Sequence, residues 1–254
     1  MNVENKGQSI ALIVDETKKK NNTLLSIEPK KEAVFNYLTE LKLESHQKLQ
    51  HIPNTDQERN ILYITAPSGQ GKSYYTKHYA DQYRKIYPKR EIYLFSSLSD
   101  DSSIDKIKNL RRIKLTPEFL SDDITAGDFK DSLVIFDDTD CITDKRVKLK
   151  VNAILNSLLE TGRHFNSSVV YTSHSACSGN DTKKILNECH SITIFPNGLG
   201  GRSLKYLLDQ YLGLDKDQIK KIKQLDSRWV TIVKTYPLVA LYEKGAYVLN
   251  NKDD

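Results

Sequence analysis

Short apolar runs alternate with amphipathic segments through the middle of the chain. Runs of four or five mostly apolar residues predict strands, and apolar positions at helical spacing predict helices. The predicted strands cover 61–65, 91–95, 133–136, 169–172 and 192–195; the predicted helices cover 73–87, 144–161 and 182–189. Strands that are apolar on both faces and alternate with helices are typical of a parallel sheet covered on two sides. The pattern therefore predicts a doubly wound α/β core.

The two ends of the chain have different patterns. Two β-branched runs, 9–14 and 23–27, predict a hairpin. Residues 32–49 carry Val34, Phe35, Leu38 and Leu41 at helical spacing and predict an amphipathic helix. The C-terminal part is predicted to form helices at 204–212 and 217–225 and strands at 229–234 and 239–242, with Gly245 in a turn. We therefore expect an N-terminal hairpin and helix extension (1–58), a core (59–200), and C-terminal helices and strands packed on it (201–254).

Composition narrows the class of protein. With 254 residues the chain suits one α/β domain with modest additions. No apolar run has the length of a membrane span, so we expect no membrane insertion. Three cysteines without metal-site spacing indicate a reducing compartment. The net charge of +5 permits contact with a polyanion without requiring it.

The loop between the first predicted core strand and its helix has the chemistry of a phosphate-binding site. Residues 66–73 read APSGQGKS, the Walker A pattern with Ala66 in place of the leading glycine. Backbone amides there would surround a phosphate at the positive end of the helix. Lys72 would reach the β- and γ-phosphates of ATP, and the Ser73 hydroxyl would bind Mg²⁺. The predicted nucleotide contacts are Ser68, Gly69, Gln70, Gly71, Lys72, Ser73 and Tyr74.

Two carboxylates follow the apolar strand 133–136, as in a Walker B motif. Asp137 would hold Mg²⁺ through its water shell, and Asp138 would accept a proton from the attacking water or orient it. Paired acids after a strand also begin helices, and that alternative stays open for Asp138. Many proteins with this motif carry the longer Glu at the second position.

Polar residues near the strand 169–172 are further candidates. In RecA-like sheets this strand lies between the two Walker strands, so its carboxyl end points at the γ-phosphate. Ser173 or His174 at that end would sense the γ-phosphate. The alternatives are that Ser173 is a capping serine and His174 an ordinary loop histidine. Arg163 is a candidate finger that reaches a neighbouring subunit's γ-phosphate, or it binds carbonyls at a helix end. The rival arginines are Arg111, Arg112 and Arg202.

A basic cluster lies beyond the core. It comprises Lys216, Lys220, Lys221, Lys223 and Arg228. Charged residues usually make up the solvated face of a helix, and contact with DNA is the other interpretation.

These motifs together resemble the poxvirus-type DNA-packaging ATPases of large DNA viruses, within the FtsK–HerA superfamily. The resemblance covers about residues 60–195, and its telling parts are APSGQGKS, VIFDD, and TGRHFN followed by SVVYTSH. It implies a RecA-like P-loop NTPase with a mainly parallel sheet, and an ATPase that uses ATP and Mg²⁺. It also makes Arg163 a candidate trans-acting finger. That family usually has Gln where His174 stands.

The resemblance further implies what the ATPase acts on. The implied function is ATP-driven translocation of double-stranded DNA by a homo-oligomeric ring (pentamer or hexamer) that packages a viral genome into a preformed capsid. Capsid or portal-vertex proteins would be further partners. The implied locations are the host cell cytoplasm at the virus assembly site, and the virion. The alternatives are a P-loop kinase for nucleotides or small molecules, and a nucleotide-binding assembly module with little turnover.

Overall fold

The computed structural model describes residues 1–17, 22–28 and 38–249. The chain divides into two compact units. One is Glu58–Cys189, and the other combines Met1–Gln57 with His190–Asp254. Both terminal additions thus fall in the same unit, while the division at 58 and 200 remains a prediction.

The strands and helices of the described residues are numbered in chain order. The strands are β1 (Gln8–Asp15), β2 (Thr23–Ile27), β3 (Glu40–Lys42), β4 (Gln47–His51), β5 (Ile61–Thr65), β6 (Glu91–Ser96), β7 (Leu110–Ile113), β8 (Ser132–Asp137), β9 (Ser168–Ser173), β10 (Ser191–Ile194), β11 (Val230–Val233), β12 (Leu238–Tyr242) and β13 (Gly245–Leu249). The helices are α1 (Lys72–Ile86), α2 (Lys145–Thr161), α3 (Asn180–Glu188), α4 (Gly201–Tyr206), which continues as a π-helix over Leu207–Tyr211, and α5 (Lys216–Lys223). No described helix has both the length and the apolar character to cross a membrane.

The unit Glu58–Cys189 is built on a parallel sheet. Its strands lie in the order β5, β9, β8, β6, β7, and each neighbouring pair is parallel. Every residue of β5, β8 and β9 is buried, as expected for strands covered on both faces. Because β9 lies between β5 and β8, the carboxyl ends of these three strands meet at one edge. The predicted RecA-like P-loop core is confirmed.

The buried face and the start of the helix α2 both follow from its sequence. Its apolar residues at helical spacing, including Val151 and Leu158, are buried on one face. The Asp144 carboxylate accepts hydrogen bonds from the amides of Arg146 and Val147, and the helix begins there. The predicted helix 144–161 is therefore confirmed.

The other unit is antiparallel. Neighbouring strands pair in the order β10, β11, β12, β13, β3, and a second sheet has the order β2, β1, β4. The predicted hairpin is β1–β2. Its apolar residues Ile10 and Leu25 share one buried cluster with Leu49, Val239 and Leu241. The strand β10, assigned to the parallel core from sequence, pairs antiparallel with β11 in this unit.

The amphipathic helix predicted over 32–49 is wrong for its described part, 38–49; residues 32–37 lie outside the described residues. The chain forms β3 and β4 instead. Five residues of β4 pair with β1, and Leu49 is buried while Lys48 and Gln50 are not. Backbone pairing and this period of two outweigh the helical spacing of Leu38 and Leu41.

Two further strands were not predicted. β7 lies in 100–131, for which the sequence shows only turns and short helical pieces. β13 begins at Gly245, which pairs with Tyr242 across the two-residue turn Glu243–Lys244. A Cβ on Gly245 would lie 2.2 Å from the carbonyl oxygen of Leu41 in β3, so the close approach of that strand requires glycine.

Candidate nucleotide-binding site

The loop 66–71 joins β5 to α1 and has an open surface. Gly69 and Gly71 have φ values of 76° and 108°, which favour glycine. A Cβ on Gly69 would meet no atom within 4 Å. α1 begins at Lys72 without a side-chain cap and without an acidic residue in its first turn. The first amides of a helix have no partner within the helix, so this end suits an anion.

Lys72 is 5% exposed and is held at the edge where β5 and β9 end. Its Nζ donates to the carbonyl oxygen of Ala66 at 2.9 Å and lies 3.1 Å from Nδ1 of His174. The same Nζ is 3.6 Å from Oδ1 of Asp138. The fold thus brings together one residue from each of three sequence-predicted segments.

His174 connects the lysine to the second Walker B acid. Its Nε2 lies 3.0 Å from Oδ2 of Asp138. An ammonium group has only donors, so Nδ1 must accept from Lys72. The proton of the neutral imidazole is therefore assigned to Nε2, which donates to Asp138. Lys72, His174 and Asp138 form a closed triangle that we call the Lys–His–Asp triangle.

The two acids at the end of β8 share one hydroxyl. Thr172 Oγ1 lies 2.9 Å from Oδ1 of Asp137 and 3.1 Å from Oδ1 of Asp138, and it accepts from the amide of Asp138 at 3.0 Å. Asp138 has a φ of 47°, in the left-handed region that aspartate adopts more readily than most non-glycine residues. Thr172 has a single O–H, so it donates to one of the two carboxylates at a time and links them.

The two carboxylates differ in their surroundings. Asp137 is 1% exposed, and burial, followed by the charge of Asp138, raises its pKa to about 6. Ser96 Oγ lies 3.5 Å from Oδ2 of Asp137. A cation beside Asp137 would favour its charged form, as expected for a group that contacts Mg²⁺.

Sequence reasoning missed Thr172, Ser96 and Asp140. Ser173, a candidate sensor, donates to Asp140 Oδ2 at 2.9 Å and is not part of the Lys–His–Asp triangle. The signal for Thr172 was available, because it is a polar residue near the carboxyl end of a fully buried strand. Partners for Asp140 depend on the turn after β8 and cannot be derived from motif spacing.

Arg163 is exposed and does not hold the end of α2. Its Nε donates to Glu58 at 2.6 Å, and its side chain is 72% exposed. The carbonyl oxygens of Leu158 and Leu159 accept instead from the guanidinium of Arg59, at 2.6 and 2.8 Å. The helix-end role considered for Arg163 thus belongs to Arg59, which sequence reasoning did not select.

The other predicted residues lie as follows. Arg111 pairs with Glu91 at 3.0 Å, and Arg112 pairs with Asp105 at 2.5 Å, so these two of the three rival arginines have partners within their own unit. Tyr74 is 60% exposed and its ring packs edge-on against His78 with centroids 4.3 Å apart. Ser73 lies in the first turn of α1 directly after Lys72.

The site fits ATP with Mg²⁺. Lys72 has three N–H donors, of which two reach Ala66 and His174. The third faces Asp138 at 3.6 Å, which is longer than a hydrogen bond, so it can turn to a phosphate oxygen. Mg²⁺ in such sites keeps several waters and binds to one hydroxyl, a carboxylate and phosphates. Ser73 and Asp137 would supply that hydroxyl and carboxylate. When bound, the ion would neutralise charge on the transferred phosphoryl group.

Known proteins are similar to this chain in sequence and in fold. Protein V3 of Sputnik virophage, which is uncharacterized, is 40% identical over 195 residues, or 75% of this chain and 78% of V3. The genome-packaging NTPase B204 from Sulfolobus turreted icosahedral virus 2, in complex with ATP-γ-S, superposes with a TM-score of 0.51. It is 13% identical, and the match covers 76% of this chain and 100% of B204.

A second solved structure shares the fold. The cytoplasmic domain of the type VII secretion ATPase EccC of Thermomonospora curvata has a TM-score of 0.52 at 9% identity, covering 85% of this chain and 29% of that one. No family model matches the sequence. At these low identities the two solved structures establish the fold, and the sequence match to V3 establishes the family. This chain therefore belongs to the family of Sputnik virophage protein V3, and it has the RecA-like fold of the viral genome-packaging ATPases.

Proposed function

We propose that this protein is an ATPase that moves double-stranded DNA, and that it packages a viral genome into a preformed capsid as a homo-oligomeric ring of five or six copies. The observation that carries the ATPase part is the Lys–His–Asp triangle, with Asp137 beside it, at one edge of a RecA-like sheet. The packaging part is supported by the fold of B204 and by the viral origin of V3.

The residues have separate roles in this proposal. Lys72 and the amides of Ser68, Gly69, Gln70 and Gly71 bind phosphate oxygens, with Tyr74 at the edge of the site. Ser73 and Asp137 hold Mg²⁺. Asp138 orients the attacking water and accepts its proton. His174 fixes one oxygen of Asp138 through Nε2 and contacts Lys72 through Nδ1, so it positions both groups and responds to the γ-phosphate.

Arg163 is proposed as the finger that acts on a neighbouring copy. Its exposure supports this role, because an arginine already committed to carbonyls of its own helix would not be available. An exposed ion pair such as Arg163–Glu58 contributes little stability and exchanges readily. Glu58 would release Arg163 when a neighbouring copy binds.

The partners and location follow from the same proposal. Double-stranded DNA lies in the pore of the ring. Capsid or portal-vertex proteins anchor the ring, and packaging takes place in the host cell cytoplasm where virions assemble. A DNA translocase needs contacts to phosphates, and such contacts weaken as salt rises.

The test is movement along duplex DNA. Purified protein with ATP and Mg²⁺ should displace a third strand bound to duplex DNA, and duplex should stimulate ATP turnover. A Lys72→Ala variant is the matched control and should do neither. The translocase proposal is lost if the wild-type protein hydrolyses ATP at a rate that duplex leaves unchanged and displaces no third strand.

A further inference from the structure

A groove lined mainly by lysines lies in the C-terminal segment, away from the residues of the Lys–His–Asp triangle in sequence. It has a volume of about 250 Å³. Four lysines line it together with Ile219 and Gln224; they are Lys205, Lys216, Lys220 and Lys223. We call this the lysine groove. All four lysines are exposed, while Ile219 is buried at its floor.

The four lysines have no acidic partner among the residues that the structure describes. Lys221, on another side of α5, differs from them: it lies 3.8 Å from Glu40 and 3.9 Å from the ring centroid of Tyr247. Between 201 and 228 the chain has seven basic and four acidic residues. Like charges that converge without counter-charges repel one another, so the lysine groove favours a bound anion.

The spacing of the lysines suits a regular row of negative charges. Lys216, Lys220 and Lys223 are four and three residues apart on one face of α5. They span about 10 Å along the helix axis at 1.5 Å per residue. One strand of duplex DNA carries a phosphate about every 3.4 Å of axis, so the row is about as long as a run of three to four phosphates. Lys205 adds a fourth ammonium group from α4.

We propose that the lysine groove binds the phosphate backbone of duplex DNA without reading its sequence. Lysines contact phosphates as point charges, and Gln224 is the single lining residue with a planar amide of the kind that pairs with base edges. The proposal rests on the proposed function and deepens it, because it assigns the DNA contact to α5 and the end of α4.

The test compares two triple variants with the same loss of charge. The groove variant is Lys216→Gln/Lys220→Gln/Lys223→Gln. The control is Lys106→Gln/Lys108→Gln/Lys114→Gln, at three exposed positions of the other unit. Glutamine and lysine have similar helix propensities, so α5 should stay folded, which circular dichroism checks. Duplex affinity is measured for the full chain from 50 to 200 mM salt.

A plot of log K against log salt should be less steep for the groove variant than for wild type, by about 2 to 3 in slope, because each lost phosphate contact contributes about 0.9. Its ATP turnover in the absence of DNA should be unchanged. The control should keep the wild-type slope. An equal slope in the groove variant and the control, while wild type binds duplex, overturns the groove assignment and leaves the translocase proposal intact. Selective loss of binding to phosphatidylserine vesicles, with duplex binding unchanged, also overturns it. Failure of the wild-type protein to bind duplex at 50 mM salt overturns both.

Discussion

Nζ of Lys72 lies 3.1 Å from Nδ1 of His174, so the residue after β9 contacts the lysine that begins α1. The contact assigns the tautomer of His174 and turns Nε2 toward Asp138. A histidine in this position can therefore act on two groups of the site at once. This arrangement explains how a chain with aspartate as its second acid keeps that carboxylate oriented.

Removal of the His174 imidazole should slow ATP hydrolysis more than it weakens ATP binding. In His174→Ala, Asp138 loses the donor at 3.0 Å, and kcat should fall by about 10-fold to 100-fold with little change in KM. His174→Gln is the matched control, because glutamine also has a donor and an acceptor, and it should keep a larger part of the rate. Equal rates for wild type and His174→Ala would rule out the positioning role.

The raised pKa of Asp137 predicts that its carboxylate lowers the free energy of unfolding in a pH-dependent way. Its raised pKa means that the folded protein binds a proton more tightly than the unfolded chain does between pH about 4 and 6. The buried charge therefore destabilises the fold above pH about 6, and this penalty disappears as the pH falls toward 4. Asp137→Asn, without nucleotide and Mg²⁺, should raise the free energy of unfolding at pH 7.5 by on the order of 1–3 kcal/mol.

The gain from Asp137→Asn should shrink at pH 5, which urea unfolding at both pH values measures. Asp123→Asn, at an exposed position, is the control and should change stability at neither pH. A gain that is the same at pH 5 and 7.5 would show that burial of the charge is not its cause.

Substitution of Arg59 should lower the stability of the fold, whereas substitution of Arg163 should not. Arg59→Ala leaves the carbonyl oxygens of Leu158 and Leu159 without their charged donor, and should cost about 2–3 kcal/mol of stability. Arg163→Ala removes only an exposed contact and should leave the melting temperature unchanged. Thermal unfolding of both variants checks this, and a large loss in Arg163→Ala would assign that residue a structural role.

Arg163 should also act between copies. Arg163→Ala and Asp138→Asn should each be slow alone, and a mixture should recover part of the turnover, because some interfaces then pair an intact arginine with an intact Asp138. Turnover is measured over a range of mixing ratios. If every mixture stays at the average of the two variants, Arg163 does not reach a neighbour's site.

The core and the motif residues could be predicted from sequence, because buried strands and the P-loop follow local rules. The strand pattern fixed which residues end at the edge of the sheet, and Lys72, Asp138 and His174 meet there. β3 and β4 could not be predicted, since their pairing partners are distant in sequence. Arg59 was missed for the same reason: its partners Leu158 and Leu159 lie about 100 residues away.

Mg²⁺-dependent ATP turnover by wild type, Lys72→Ala and Asp138→Asn tests the central claim most directly. The triangle requires both side chains at one site, so wild type should hydrolyse ATP and each variant should lose about 100-fold or more. Lys108→Gln, which removes a lysine at an exposed position, should keep the wild-type rate. Wild-type turnover in Lys72→Ala would contradict the account.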